Sequence, residues 1–193
     1  MKETEITVQV FNELNELKIL LKTKGFEIVE EYEIHDYYFS KLPINYLSNL
    51  PYPDLIRNSF LVRDIKDSNP KIKIVYKDKI LDEFGNVISE EKISCKVDNL
   101  ENILKILKMV EIECWCELKQ KMIIYKKDEV AFAVQIIDGL GIFIEYEEDE
   151  TMINLSEYEK IKLMLDNLNN IGLKLGDDFS CKKVYMKYLK ENK

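Results

Sequence analysis

The sequence has little that would break or divide a chain. Only 4 of its 193 residues are proline and 6 are glycine. No Gly- or Pro-rich linker separates one part from another. A single domain over residues 1–193 is therefore expected, with ample material for a core. Positive charge is the minority sign: 28 Lys and Arg stand against 36 Asp and Glu, a net charge of −8. That balance argues against a nucleic-acid partner, because phosphate backbones need a basic surface. No apolar run approaches the roughly 20 residues of a membrane span, so no membrane partner is expected. The opening Met1-Lys-Glu-Thr-Glu5 lacks the apolar stretch of an export signal. With four cysteines read as reduced thiols, this predicts a cytoplasmic protein. Histidine and tryptophan occur once each, as His35 and Trp115. A structural zinc site would need Cys95, Cys114, Cys116, Cys181 or His35 to converge in a set of about four. Buried small hydrophobes are the simpler reading of the cysteines. His35 reads as an ordinary strand histidine and Trp115 as core.

What is present is alternation. In Glu3-Thr-Glu-Ile-Thr-Val-Gln-Val10, residues 3, 5, 7 and 9 fall on one strand face and 4, 6, 8 and 10 on the other. In Gly139-Leu-Gly-Ile-Phe-Ile-Glu-Tyr-Glu147, two glycines permit a tight entry. Gly141, Phe143, Glu145 and Glu147 then share one face, opposite Ile142, Ile144 and Tyr146. Both stretches place two carboxylates at i, i+2 on one face. Between them the pattern predicts strands over 26–39, 59–65, 71–80, 87–97, 110–125 and 129–137. It predicts helices over 11–24, 99–109, 156–169 and 180–190, the second capped by Asp98. Pro43, Pro51 and Pro53 mark 41–54 as irregular or a short helix. Eight mostly antiparallel strands with flanking helices make an α+β fold. Closure into a barrel or tunnel would remove exposed edges.

The strands also carry cations at alternate positions. Lys73 and Lys77 share parity, Arg63 sits on the neighbouring strand, and Lys119 and Lys121 are i, i+2. Carboxylates hold hard cations such as Mg²⁺, and Lys and Arg neutralise phosphate oxygens. Both signs inside a closed sheet would fit a metal–polyphosphate site. Solvated faces are the alternative reading of the same charges.

These residues resemble the CYTH superfamily, the triphosphate tunnel metalloenzymes. The first strand, Glu3-Thr-Glu5-Ile-Thr7, is similar to the family's E-x-E-x-K. Gly25-Phe26, Asp36-Tyr-Tyr-Phe39, Phe60-Leu-Val-Arg63, Ile74-Val-Tyr-Lys77 and Lys119-Gln-Lys121 with Tyr125 follow in the family's order. Gly139 to Glu147 matches its Gly-Leu-Gly-x-Phe-x-Glu-x-Glu throughout. The resemblance implies an eight-stranded antiparallel tunnel, acting as a monomer or homodimer on a triphosphate-containing small molecule. It implies Mg²⁺ or Mn²⁺ on Glu3, Glu5, Glu145 and Glu147, and phosphates on Arg63, Lys77, Lys119 and Lys121. Thr7 and Leu61 stand where the family has basic residues, and Gln135 where it has an acid. Three functions are compatible with it: a metal-dependent triphosphatase, a class IV-type adenylyl cyclase, and a non-catalytic anion-binding tunnel.

Overall fold

The structure is a computed structural model and describes residues 4–47, 49–81 and 87–192. In chain order its elements are β1 (Glu5–Val10), α1 (Leu14–Thr23), β2 (Glu27–Ser40), α2 (Ile44–Leu47), α3 (Tyr52–Arg57), β3 (Ser59–Lys66), β4 (Lys71–Leu81) and β5 (Val87–Val97). Then come α4 (Leu100–Met109), β6 (Cys114–Lys127), β7 (Val130–Ile137), β8 (Gly141–Glu147), α5 (Glu157–Ile171) and α6 (Lys183–Glu191). Residues 82–86, between β4 and β5, lie outside the described residues.

The fold is α+β, with an eight-stranded antiparallel sheet in the order β1-β8-β7-β6-β2-β3-β4-β5. That order is open, with β1 at one end and β5 at the other. The barrel expected from the strand count is not closed by hydrogen bonding. The outer edge of β1 is taken instead by the chain's own segment 174–181. Thr7 N–H donates to the Phe179 carbonyl at 2.9 Å, and Cys181 N–H donates to the Thr7 carbonyl at 2.9 Å. Gly176 N–H reaches the Gln9 carbonyl and Phe11 N–H reaches that of Lys174. Backbone groups on an edge must be satisfied somewhere, and here they are. This also explains why the last helix starts at Lys183 and not at 180.

The chain divides into two compact units. Of the described residues, one holds those within 4–31 and 121–181, the other those within 32–120 and 182–192. In the first unit, one face of β1 and β8 presents Ile6, Val8, Val10, Ile144 and Tyr146 to a core. α1 brings Leu17 and Leu21 to that core, and α5 brings Met164, Leu168 and Ile171. α5 starts cleanly because Ser156 and Glu159 form a reciprocal capping box. It stops at Gly172, whose φ of 90° suits glycine. The β7–β8 turn uses Gly139 (φ 75°) and Gly141 (φ 116°), conformations that a side chain would strain. This turn sets the register that places Glu145 opposite Ala133 and Thr7.

In the second unit, β2 to β5 form successive antiparallel ladders. Phe39, Phe60, Val62, Ile72 and Ile74 face α4, which contributes Ile103, Leu104 and Leu107. Asn99, not Asp98, caps α4: its side chain accepts from Asn102 N–H. β6 begins only at Cys114, because Glu111 takes a positive φ of 61° after the helix.

Candidate functional site

The apolar sides of β1 and β8 face the core, so their other sides carry the polar residues. Two-residue periodicity puts Glu5, Thr7 and Gln9 on that face of β1, and Phe143, Glu145 and Glu147 on that of β8. The antiparallel register sets Glu5 opposite Glu147 and Thr7 opposite Glu145. Glu5, Glu145 and Glu147 thereby offer carboxylate oxygens that all lie within 4.8 Å of one another. Glu5 and Glu145 are half-buried and Glu147 is exposed. Among the described residues this is the group of at least three acidic, thiol or imidazole side chains so placed. Three anionic oxygen donors suit a hard divalent cation, which takes oxygen ligands and can keep water in its remaining positions. The donor set therefore fits Mg²⁺ or Mn²⁺. Glu3, the fourth carboxylate expected here, lies outside the described residues.

Thr7 and Gln135 are 6% and 2% exposed. Both stand where the resemblance calls for a charge, and an unpaired charge at such depth would be costly. Neutral side chains are the cheaper solution, and the same holds for Leu61 at 2% exposure in the second unit.

The basic candidates have different fates. Arg63 lies directly opposite Asp36 across the β2–β3 ladder. Its Nε and an Nη each donate to Asp36 at 2.7 Å, a bidentate fork. Asp36 is 1% exposed and also accepts from Gln120 Nε2 at 3.3 Å. The first task of Arg63 is thus to neutralise a buried carboxylate, a partner that sequence reading did not assign. On the next ladders, Lys73 stands opposite both Arg63 and Lys96, and Lys77 stands opposite Lys92. Arg63, Lys73, Lys77, Lys92 and Lys96 share one face of the ladder, the one turned away from the α4 core. The place of Lys96 beside Lys73 depends on register and not on any motif, so sequence alone does not single it out.

Lys119 and Lys121 are exposed, alternating with buried Leu118, Gln120 and Met122. Lys121 shares the β6 face of Ile123 and Tyr125, which point into the first unit's core. That is the side opposite the carboxylates, and Lys121 pairs with Glu31 at 2.7 Å. The structure does not bring Lys121 to the acidic group.

The remaining candidates are structural. His35 Nε2 lies 2.8 Å from a Glu117 oxygen and its ring packs on Tyr37 at 4.0 Å. Trp115 is buried between Tyr38 and Tyr188. Burial pushes the Cys114 thiol up to about 11 and the Cys116 thiol up to about 12. The thiolate is the reactive form, so both should stay inert near neutrality. Iodoacetamide treatment of the native protein at pH 8, mapped by mass spectrometry, is expected to modify exposed Cys95 and spare both. Equal modification of Cys116 and Cys95 would contradict their placement.

No family model matches the chain. It is 24% identical over 187 residues to a Methanocaldococcus jannaschii protein named "putative adenylate cyclase", covering 96% of this chain and 97% of that one. Its fold is similar to that of the Pyrococcus horikoshii protein PH1819, with a TM-score of 0.69, 17% identity, and 99% of each chain covered. A solved Vibrio parahaemolyticus protein, named in the same terms as the first, matches with a TM-score of 0.62 at 17% identity over 97% of each chain. Among the described residues no helix is long and apolar enough to cross a membrane. The chain thus shares its fold with these solved proteins, and over nearly its whole length it is similar in sequence to the Methanocaldococcus jannaschii protein.

Proposed function

We propose that this protein is a CYTH-type, divalent-metal-dependent enzyme that acts on a triphosphate-bearing small molecule. The observation that carries the reading is the carboxylate trio Glu5, Glu145 and Glu147, with oxygens within 4.8 Å of one another. In this reading the trio holds Mg²⁺ or Mn²⁺. Such an ion polarises phosphoryl oxygens and activates water when bound. The phosphate role falls to Arg63 and Lys77, together with Lys73, Lys92 and Lys96 on the same ladder rows. Like charges directly opposite each other on a ladder repel, and a bound polyanion relieves that repulsion. Lys121, paired with Glu31 on the core side of β6, is left out of it. Curling of the open sheet into a tunnel belongs to the same proposal.

Hydrolysis is the first reading, because the trio supplies metal chemistry without requiring a nucleoside pocket. Cyclisation of ATP is the second, favoured by the names of the relatives. The two differ in their products. The test is to incubate the protein with Mn²⁺ or Mg²⁺ and either tripolyphosphate or ATP. Metal-dependent release of phosphate supports the hydrolase. Equal amounts of cyclic AMP and pyrophosphate from ATP support the cyclase. If neither compound is turned over, and neither stabilises the folded protein, the reading is wrong, since a ligand bound to the native state must raise its stability.

A further inference from the structure

Carboxylates that are to serve as cation ligands must be held at a fixed spacing. β1 and β8 end on the rung that pairs Glu5 with Glu147. The end of a ladder is where opening costs least, so this rung would part first. One residue further on, however, the strands are still tied. Glu148 N–H donates to the Thr4 carbonyl at 2.9 Å. The Glu148 carboxylate accepts from Thr4 N–H at 3.1 Å. The same oxygen, Oε2, accepts from Lys160 Nζ of α5 at 2.7 Å. The Lys160 and Glu148 side chains are only 13% and 22% exposed.

Thr4 immediately precedes Glu5, and Glu148 immediately follows Glu147. The ring of hydrogen bonds therefore closes the last rung and fastens it to a helix anchored in the core. Alternation turns the Glu148 side chain away from the face of the trio, so the clamp acts on the backbone and does not supply a ligand. The Ser156–Glu159 capping box fixes the first turn of α5, and Lys160 follows it directly. The anchor is rigid where the clamp needs it.

We propose that Lys160 and Glu148 are positioning residues, holding Glu147 against Glu5 at the spacing a divalent cation requires. This inference rests on the metal-binding reading of the trio. Outer partners that orient ligands typically contribute ten- to a hundredfold in metal affinity.

The test is a calorimetric titration of the full chain with Mn²⁺ alone, with circular dichroism to confirm folding. Lys160→Met is expected to weaken Mn²⁺ binding about tenfold, and Lys160→Arg to restore it. Glu148→Gln keeps an acceptor for Thr4 but loses the charge facing Lys160, and should also weaken binding. It carries the test if Lys160→Met does not fold. Lys174→Met breaks an ion pair of the same unit, 3.1 Å from Glu16, and should bind Mn²⁺ like the parent. A merely structural effect would weaken all of these variants alike. If Lys160→Met and Glu148→Gln bind Mn²⁺ like the parent while Glu145→Gln does not, the positioning role is overturned and the metal reading stands. If the parent binds no Mn²⁺, both fall.

Discussion

Mn²⁺ is expected to raise the melting temperature of the parent protein and to leave that of Glu145→Gln almost unchanged. Three carboxylates with oxygens within 4.8 Å of one another repel at neutral pH. A divalent cation converts that repulsion into attraction, and it can do so only in the folded state, where the register brings the three together. At a hundred times its dissociation constant it stabilises by about 2.7 kcal/mol. For a chain of 193 residues that is about 5–10 °C. Glu145→Gln keeps the shape and removes one charge from the group. Without metal the variant should melt at or slightly above the parent, because the apolar faces of Ile144 and Tyr146 still pack and one source of repulsion is gone. Turnover should be lost with the metal response. Equal metal response and equal activity in both proteins would remove this carboxylate from the site.

The second large effect concerns Asp36 and Arg63. Removing one partner of a buried ion pair costs about 3–5 kcal/mol, because the other charge is left uncompensated. The two partners are not equally buried: the Arg63 side chain is 25% exposed and that of Asp36 only 1%. After Asp36→Asn, the guanidinium can turn partly to water, so a loss near the lower bound, about 3 kcal/mol, is expected in urea denaturation. Arg63→Leu strands the carboxylate at depth with Gln120 as its remaining partner, and should cost more, about 5 kcal/mol. The double variant Asp36→Asn/Arg63→Leu buries no charge and should recover most of the loss. If the double variant is the least stable of the three, the pair is not the stabilising unit described here. The order also separates structure from ligand binding: an Arg63 that served phosphate alone would be dispensable for stability in the absence of ligand.

The elements were legible because their periods are clean. Alternation in 3–10 and 141–147 identified two strands, and the Gly139 and Gly141 turn fixed which side chains share a face. Alternation thus sets Glu5 on the polar face of one strand and Glu145 with Glu147 on that of another, while their grouping, together with Glu3, is what the family resemblance implies. Less legible is which face of a strand looks where. Lys119 and Lys121 alternate as a phosphate pair should, but β6 buries residues on both faces, Leu118 and Met122 on one and Ile123 and Tyr125 on the other. Periodicity alone cannot say which face is which. The Asp36–Arg63 fork joins residues 27 apart, and only the β2–β3 register reveals it. The strand count predicted a closed barrel, yet segment 174–181 had already satisfied the edge of β1. That segment carries no alternation strong enough to read as a strand, so sequence assigned its end to a helix.

The most direct measurement is anomalous scattering from crystals grown with Mn²⁺ and a non-hydrolysable triphosphate. An anomalous peak bordered by carboxylate oxygens of Glu5, Glu145 and Glu147 is expected, with phosphate density beside it. A peak at other residues, or none at the trio in crystals whose protein still turns over triphosphate in a Mn²⁺-dependent manner, would contradict it.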